Sequence, residues 1–198
     1  MPLSLRRGRV SAVVEELDGL TRIEVDGAPC VAYPRLTGDV AEGDEVLVNV
    51  QARELGLGSG GFDVLYANLT RGLGLEPEAG AHVMRLPYTP LQSAVRHVEE
   101  DVSPAQDLGR LPVVCCTLHS QLAPVCAGLG EGLRVVYVQV AGGALPVSLS
   151  DTVRALKARG LVDTAVGAGA CFDGDVQAVG VPSALAWAAA SRFDAVVC

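Results

Sequence analysis

His119 is the residue in this chain best placed for acid–base chemistry. Imidazole is the side chain that ordinarily changes charge near neutral pH, so it can both take and give a proton. It follows an apolar run, Pro112 to Leu118, that reads as a buried strand, and it precedes a stretch with helical spacing. In open α/β sheets, ligands bind beyond the carboxyl ends of the strands. The same rule selects Ser120, then Gly142 and Gly143 after a second apolar run, and Asp173, Gly174 and Asp175 after a third. Ser120 has two readings: a nucleophile beside His119, or the N-cap of the following helix. No G-x-S-x-G elbow surrounds it, which favours the cap. Gly142-Gly143 allows close backbone approach to a ligand or makes a turn. Asp173 and Asp175 could hold a cation or a ribose, or could shape a turn. Ser148-Leu149-Ser150-Asp151 has the form of a capping box. A helix start there favours an anionic ligand, although Asp151 repels one. His82 and His97 lie outside the expected sheet and read as structural.

Three weaker signals each have a structural alternative. Leu55 to Gly61 is rich in glycine but has neither the lysine nor the Ser/Thr of a P-loop, and a strand follows it rather than a helix. It reads as a flexible connection. Arg6, Arg7 and Arg9 could contact an anion or RNA, but a short charge run is usually solvated. The six cysteines contain no C-x-x-C pair, and Cys115 and Cys116 are adjacent, so their side chains point to opposite faces of a strand. They read as reduced, buried thiols, and no metal site is expected.

The elements that must position these residues fall into two patterns. Through about residue 72 the chain reads as short strands: Gly8–Glu16, Thr21–Val25, Cys30–Tyr33, Glu45–Val50 and Phe62–Asn68. Asp18-Gly19 and Asp26-Gly27 are turn signals, the second a strong hairpin signal. Five such strands predict a small closed or half-closed β-barrel. Residues 73–104 read as a linker, with a possible strand at His82–Leu86 and a short helix over Leu91–Glu100. Residues 105–198 alternate apolar runs (Pro112–Leu118, Leu133–Val140, Thr164–Gly169, Asp194–Cys198) with helical spacing (Ser120–Leu129, Ser148–Gly160, Pro182–Arg192). This alternation predicts βαβ units and a parallel, Rossmann-like α/β domain. The chain stops inside its last apolar run, which suggests a truncated C-terminus.

Composition narrows the functional classes. Of 198 residues, 49% are hydrophobic and 19% charged, which excludes a disordered chain. No run of about 18 apolar residues is present, and no apolar leader follows Met1, so neither a membrane span nor a secretory signal is expected. The net charge is −8, and Lys157 is the only lysine. Such a surface is unsuited to nucleic acid, whose binding needs a dense cationic face.

Several strings acquire a shared meaning when taken in order. They are Glu54–Gly61, Ala67–Leu69, Tyr88–Gln92, Leu118–Val125, and Gly142–Pro146 with Leu149–Asp151. Their sequence and spacing resemble an uncharacterised bacterial family, domain of unknown function 3866, over nearly the whole chain. The resemblance implies a cytoplasmic bacterial protein and no particular activity. It also implies longer members that continue past Cys198 into a glycine-rich loop, and small apolar residues at the positions of Cys115 and Cys116. The sequence reading is therefore an enzyme acting on a small anionic metabolite. His119 would be the acid/base, and Ser120, Gly142, Gly143, Asp151, Asp173 and Asp175 would surround the ligand. The cofactor is unknown, and a homodimer is expected. The alternative is a non-catalytic ligand-binding or assembly module.

Overall fold

A computed structural model describes residues 3–56, 60–71, 74–76, 78–140 and 145–198. The chain separates into two compact units, 1–76 and 77–198.

The first unit is a closed five-stranded barrel. Its strands are β1 (Leu5–Leu17), β2 (Leu20–Val25), β3 (Ala28–Ala32), β4 (Glu45–Asn49) and β5 (Asp63–Asn68). Asp26 and Gly27 both adopt positive φ, 50° and 77°, between the paired Val25 and Ala28. This is the two-residue turn whose twist matches a hairpin. The long β1 pairs with both β2 and β4, and its register shifts at Val10/Ala12 and Val13/Glu15. Such bulges bend a strand so that it can serve two neighbours. Parallel pairing of β3 with β5 closes the ring. Single helical turns, α1 (Pro34–Thr37) and α2 (Gln51–Glu54), connect the later strands. Alternate residues such as Val46 and Val48 point inward, with Val10, Ile23, Val25, Val50 and Leu65 completing the interior.

Two buried carboxylates tie the barrel wall together. Asp63 accepts Arg53 Nε at 2.9 Å and Nη2 at 2.7 Å. Asp44 accepts Ala41 N, Asn68 Nδ2 and two nitrogens of Arg71. The N-terminal arginines have intramolecular partners: Arg6 meets Asp63, Arg7 meets Glu45, and Arg9 donates to the carbonyl of Gly43.

The second unit begins with an antiparallel pair, β6 (Val83–Arg85) and β7 (Ser93–Val95). The helix expected over Leu91–Glu100 does not form: β7 and a single 3₁₀ turn at Val98–Glu100 occupy those residues. Pro90 cannot donate to a helical ladder, and Leu86 and Tyr88 just before it hold positive φ.

A five-stranded parallel sheet follows, ordered β11-β10-β9-β12-β8. Its strands are β8 (Val113–Val114), β9 (Val135–Gln139), β10 (Thr164–Ala168), β11 (Val176–Ala178) and β12 (Ala195–Val197). Three helices intervene: α3 (Leu122–Leu129), α4 (Asp151–Ala158) and α5 (Val181–Ala190). All five residues of β9 are buried, as a strand covered on both faces requires. Val135 and Tyr137 pack with Leu122, Cys126, Val153 and Leu156 of α3 and α4. Val136 and Val138 pack with Ala184 and Ala188 of α5. Connections crossing the sheet in one direction thus use one face, and the α5 connection, running the other way, uses the opposite face. A single crossover hand produces this arrangement. Among the described residues, no helix is long and apolar enough to cross a membrane.

Candidate functional site

Three segments meet at the carboxyl ends of the parallel strands: the 3₁₀ turn at His119–Gln121 after β8, the end of β9, and the turn leading into α4. His119 is half-buried there. Its Nε2 lies 2.7 Å from Ser150 Oγ, and its Nδ1 lies 3.4 Å from the hydroxyl of Tyr137. Ser150 is the N-cap of α4: its Oγ accepts the backbone N–H of Val153 at 3.1 Å. A second lone pair on Ser150 Oγ lets it accept Nε2–H as well as donate to Nε2, so the tautomer sets the direction of this bond. With the proton on Nε2, Ser150 holds the ring, and the Nδ1 lone pair, 3.4 Å from the Tyr137 hydroxyl, is the basic position.

Burial holds the His119 imidazole below its ordinary pKa, so it is neutral near pH 7. Burial, with the thiols of Cys171, Cys116 and Cys198 nearby, pushes the Tyr137 phenol up to about 12. The arrangement is a neutral base between two hydroxyls that stay protonated. It can accept a proton, and Ser150 with Tyr137 fixes its orientation. Ser150 is 2% exposed, so its hydroxyl serves as an anchor rather than as a nucleophile.

The other residues selected from the sequence have different placements. Ser120 is exposed and does not cap α3. The Gln121 side chain does the local work, its Oε1 accepting Thr117 N at 2.8 Å and Leu118 N at 3.2 Å. Ser148 is not the cap of α4 either, because a 3₁₀ turn at Val147–Leu149 delays the helix and gives the cap to Ser150. The backbone N–H of Ser148 instead donates to Asp173 Oδ2 at 2.7 Å. One turn thus joins His119, through Ser150, to Asp173, through Ser148.

Asp175 faces elsewhere. It accepts Lys157 Nζ at 2.5 Å and Ala165 N at 2.7 Å, at the amino end of β10. The two aspartates therefore do not form a paired site. Asp151 is exposed and bonded to Arg154 on its own helix. Gly142 and Gly143 lie outside the described residues, as does part of the glycine string at 55–61. Among the described residues, no three His, Cys, Asp or Glu side chains are grouped as metal ligands.

The thiols are less uniformly buried than their apolar surroundings in sequence suggest. Cys30, Cys126 and Cys171 are buried, Cys116 and Cys198 are intermediate, and Cys115 is exposed. Cys198 Sγ lies 3.7 Å from Cys115 Sγ across neighbouring strand ends. Burial and that neighbour push Cys198 up to about 11, which keeps it a thiol and a poor nucleophile near pH 7.

Sequence reasoning did not select Tyr137 or Ser150 for the site. The available signal for Ser150 was its place immediately before Asp151, since a cap directly precedes the acidic first turn. Tyr137 carried the weaker signal of a polar tip within an otherwise aliphatic strand. Replacing Ser150 with Ala should destabilise the second unit by about 1 to 2 kcal/mol, because it removes a cap and leaves Nε2 unpaired. Urea unfolding followed by Trp187 fluorescence measures this. Ser150→Thr should recover most of the loss, and an unchanged midpoint for Ser150→Ala would remove the anchor role.

No curated protein and no solved structure matches this chain. A family profile described as "Protein of unknown function (DUF3866)" matches residues 29–198, from the second half of the barrel to the last strand of the sheet. The chain belongs to that family.

Proposed function

We propose that the second unit binds a small anionic metabolite at the carboxyl ends of its parallel strands, in the manner of a Rossmann-like domain, and that His119 accepts a proton from it. The observation that carries this reading is the neutral imidazole held by Ser150 and Tyr137, joined through the α4 turn to Asp173. A base is useful when its orientation is set before substrate arrives and its pKa favours the free base. Gly142 and Gly143, which follow β9 in the sequence, remain the candidates for close backbone approach. Six free thiols support work in a reducing, cytoplasmic compartment.

The test is retention of a ligand from a defined pool of sugar phosphates, hydroxy and keto acids, nucleotides and amino acids, read by mass spectrometry after gel filtration. The wild-type protein should retain and convert one of them. His119→Gln should still retain it, with turnover reduced by roughly 10² to 10⁴-fold. No retained compound, or turnover unchanged in His119→Gln, overturns the reading.

A second reading, an assembly module, is favoured by exposed apolar side chains in and after β6: Met84, Leu86, Leu91 and Tyr88, which is 99% exposed. Large apolar groups on a surface are where chains associate. On this reading the protein is a homodimer, and a monomer by light scattering at micromolar concentration refutes it.

A further inference from the structure

The segment between the barrel and the parallel sheet brings polar side chains to the ends of β10 and β11. Arg85, the last residue of β6, donates from Nη2 to Gln177 Oε1 at 2.9 Å. Gln177 in turn donates from Nε2 to the carbonyl of Asp173 at 2.6 Å, so Arg85 reaches the loop that also holds Ser148. Glu99, in the 3₁₀ turn, accepts the backbone N–H of Val179 just beyond β11 at 2.9 Å. His97 is 3% exposed.

These groups have unused bonding capacity. Among the described residues, Arg85 Nε, both ring nitrogens of His97, Glu99 Oε2 and Ser148 Oγ are buried without a hydrogen-bond partner. Each such atom costs about 1 to 3 kcal/mol unless something pairs it. Burial, with the Arg85 charge nearby, holds His97 below its ordinary pKa, so the imidazole adds no charge near pH 7. The charged groups acting on His97 are Arg85, Glu99 and Glu100. Glu100 lies 3.3 Å from His82 Nε2, whereas Arg85 and Glu99 each keep a free bonding position, and no ion pair within 4 Å joins those two among the described residues. A purely anionic ligand would meet Glu99, and a purely cationic one would meet Arg85. A molecule bearing both signs satisfies both.

We infer that the ligand of this site is a small zwitterion of the amino-acid class, its carboxylate taken by Arg85 and its ammonium by Glu99, with His97 completing the hydrogen bonds. This inference rests on the proposed binding site and changes its occupant from an anionic metabolite to one that carries an ammonium beside its carboxylate.

The experiment is calorimetric titration and thermal-shift measurement of the full chain with each of the twenty L-amino acids. For every one that binds, the N-acetyl derivative, which lacks the cation, and the α-amide, which lacks the anion, are titrated as well. At least one amino acid should bind saturably, with both derivatives weakened by about tenfold or more, the effect expected for a lost charge-assisted bond. Glu99→Gln should weaken the parent and leave the N-acetyl derivative less affected, and Arg85→Gln should weaken the parent and spare the α-amide by comparison. The derivative series stands without the variants, should either fail to fold.

The inference is overturned if no amino acid binds, or if a derivative binds as well as its parent. Retention of some other metabolite, with turnover lost in His119→Gln, would overturn the zwitterion and leave the proposed function standing. Absence of any retained compound overturns both.

Discussion

Gly167→Ala should destabilise the second unit by about 3 kcal/mol, at the upper end of what one inserted methyl costs in a packed interior. Gly167 lies within β10. A Cβ built there sits 2.2 Å from the carbonyl oxygen of Asp173 and 2.8 Å from Gln177 Nε2. The nearest obstacle is backbone, so a change of rotamer cannot relieve it. The reason is the path of residues 169–175, which fold back over β10 before β11 begins. Parallel neighbours usually need a longer crossover, often through a helix. Here Asp173 takes a φ of 77° and Gly174 one of 120° to make the shorter return.

Gly174→Ala should be comparably harmful, since its Cβ would meet the backbone of Gly167 at 2.9 Å in a conformation that side chains rarely adopt. Urea denaturation monitored at Trp187 reads both variants. The loop also carries Asp173, so Gly167→Ala should weaken binding of whatever ligand the wild-type protein retains, even at temperatures where the variant is folded. A midpoint within about 0.5 kcal/mol of wild type, the range of an unremarkable surface change, would show that the loop yields easily.

Asp44→Ala should loosen the barrel by about 3 kcal/mol. Asp44 is 2% exposed, and its carboxylate accepts from Ala41 N at 2.9 Å, Asn68 Nδ2 at 2.8 Å and Arg71 at 2.8 and 3.0 Å. Removing it leaves the buried Asn68 amide without that acceptor. Loss of one partner from a buried, hydrogen-bonded pair typically costs 3–5 kcal/mol, and half-exposed Arg71, which can turn to water, places this case at the low end.

The pH dependence follows from the same contacts. Burial pushes the Asp44 carboxyl up, but the Ala41 N–H, Arg71 and Asn68 outweigh it and hold the pKa below the usual value. A carboxylate with a depressed folded-state pKa adds stability that is complete above its unfolded value, near 3.9, and is lost as pH falls through the folded value. The difference between wild type and Asp44→Ala should therefore be constant from pH 5 to 8 and shrink below about pH 4. Hydrogen exchange of β4 and β5 amides reports the barrel separately from the sheet. A difference that persists undiminished at pH 2 would contradict the assignment.

What could be read along the chain was whatever neighbouring residues decide among themselves. Asp26-Gly27 specifies a turn because both residues tolerate positive φ, and Val46 with Val48 specifies an inward face because a strand alternates. The apolar β9 and the amphipathic α4 likewise announce a covered parallel strand and its crossover helix. The position of His119 after an apolar run was legible for the same reason.

Contacts between distant segments were not. Nothing local to Ser150 or Tyr137 says that an imidazole from another loop will lie between them. The 3₁₀ turn that moves the cap from Ser148 to Ser150 is a choice among two nearly equivalent hydroxyls, settled by Asp173 binding the Ser148 amide. Asp173 and Asp175 look paired in sequence, yet a chain reversing at positive φ sends one carboxylate to the α4 turn and the other to Lys157. His97 and Arg85 belong to a stretch with no strong periodicity, and only the pairing of β6 with β7 and the docking of the following turn bury them. Local periodicity determines which face a residue occupies. Which partner that face meets depends on long-range packing, and the polar chemistry of this protein lies in those long-range contacts.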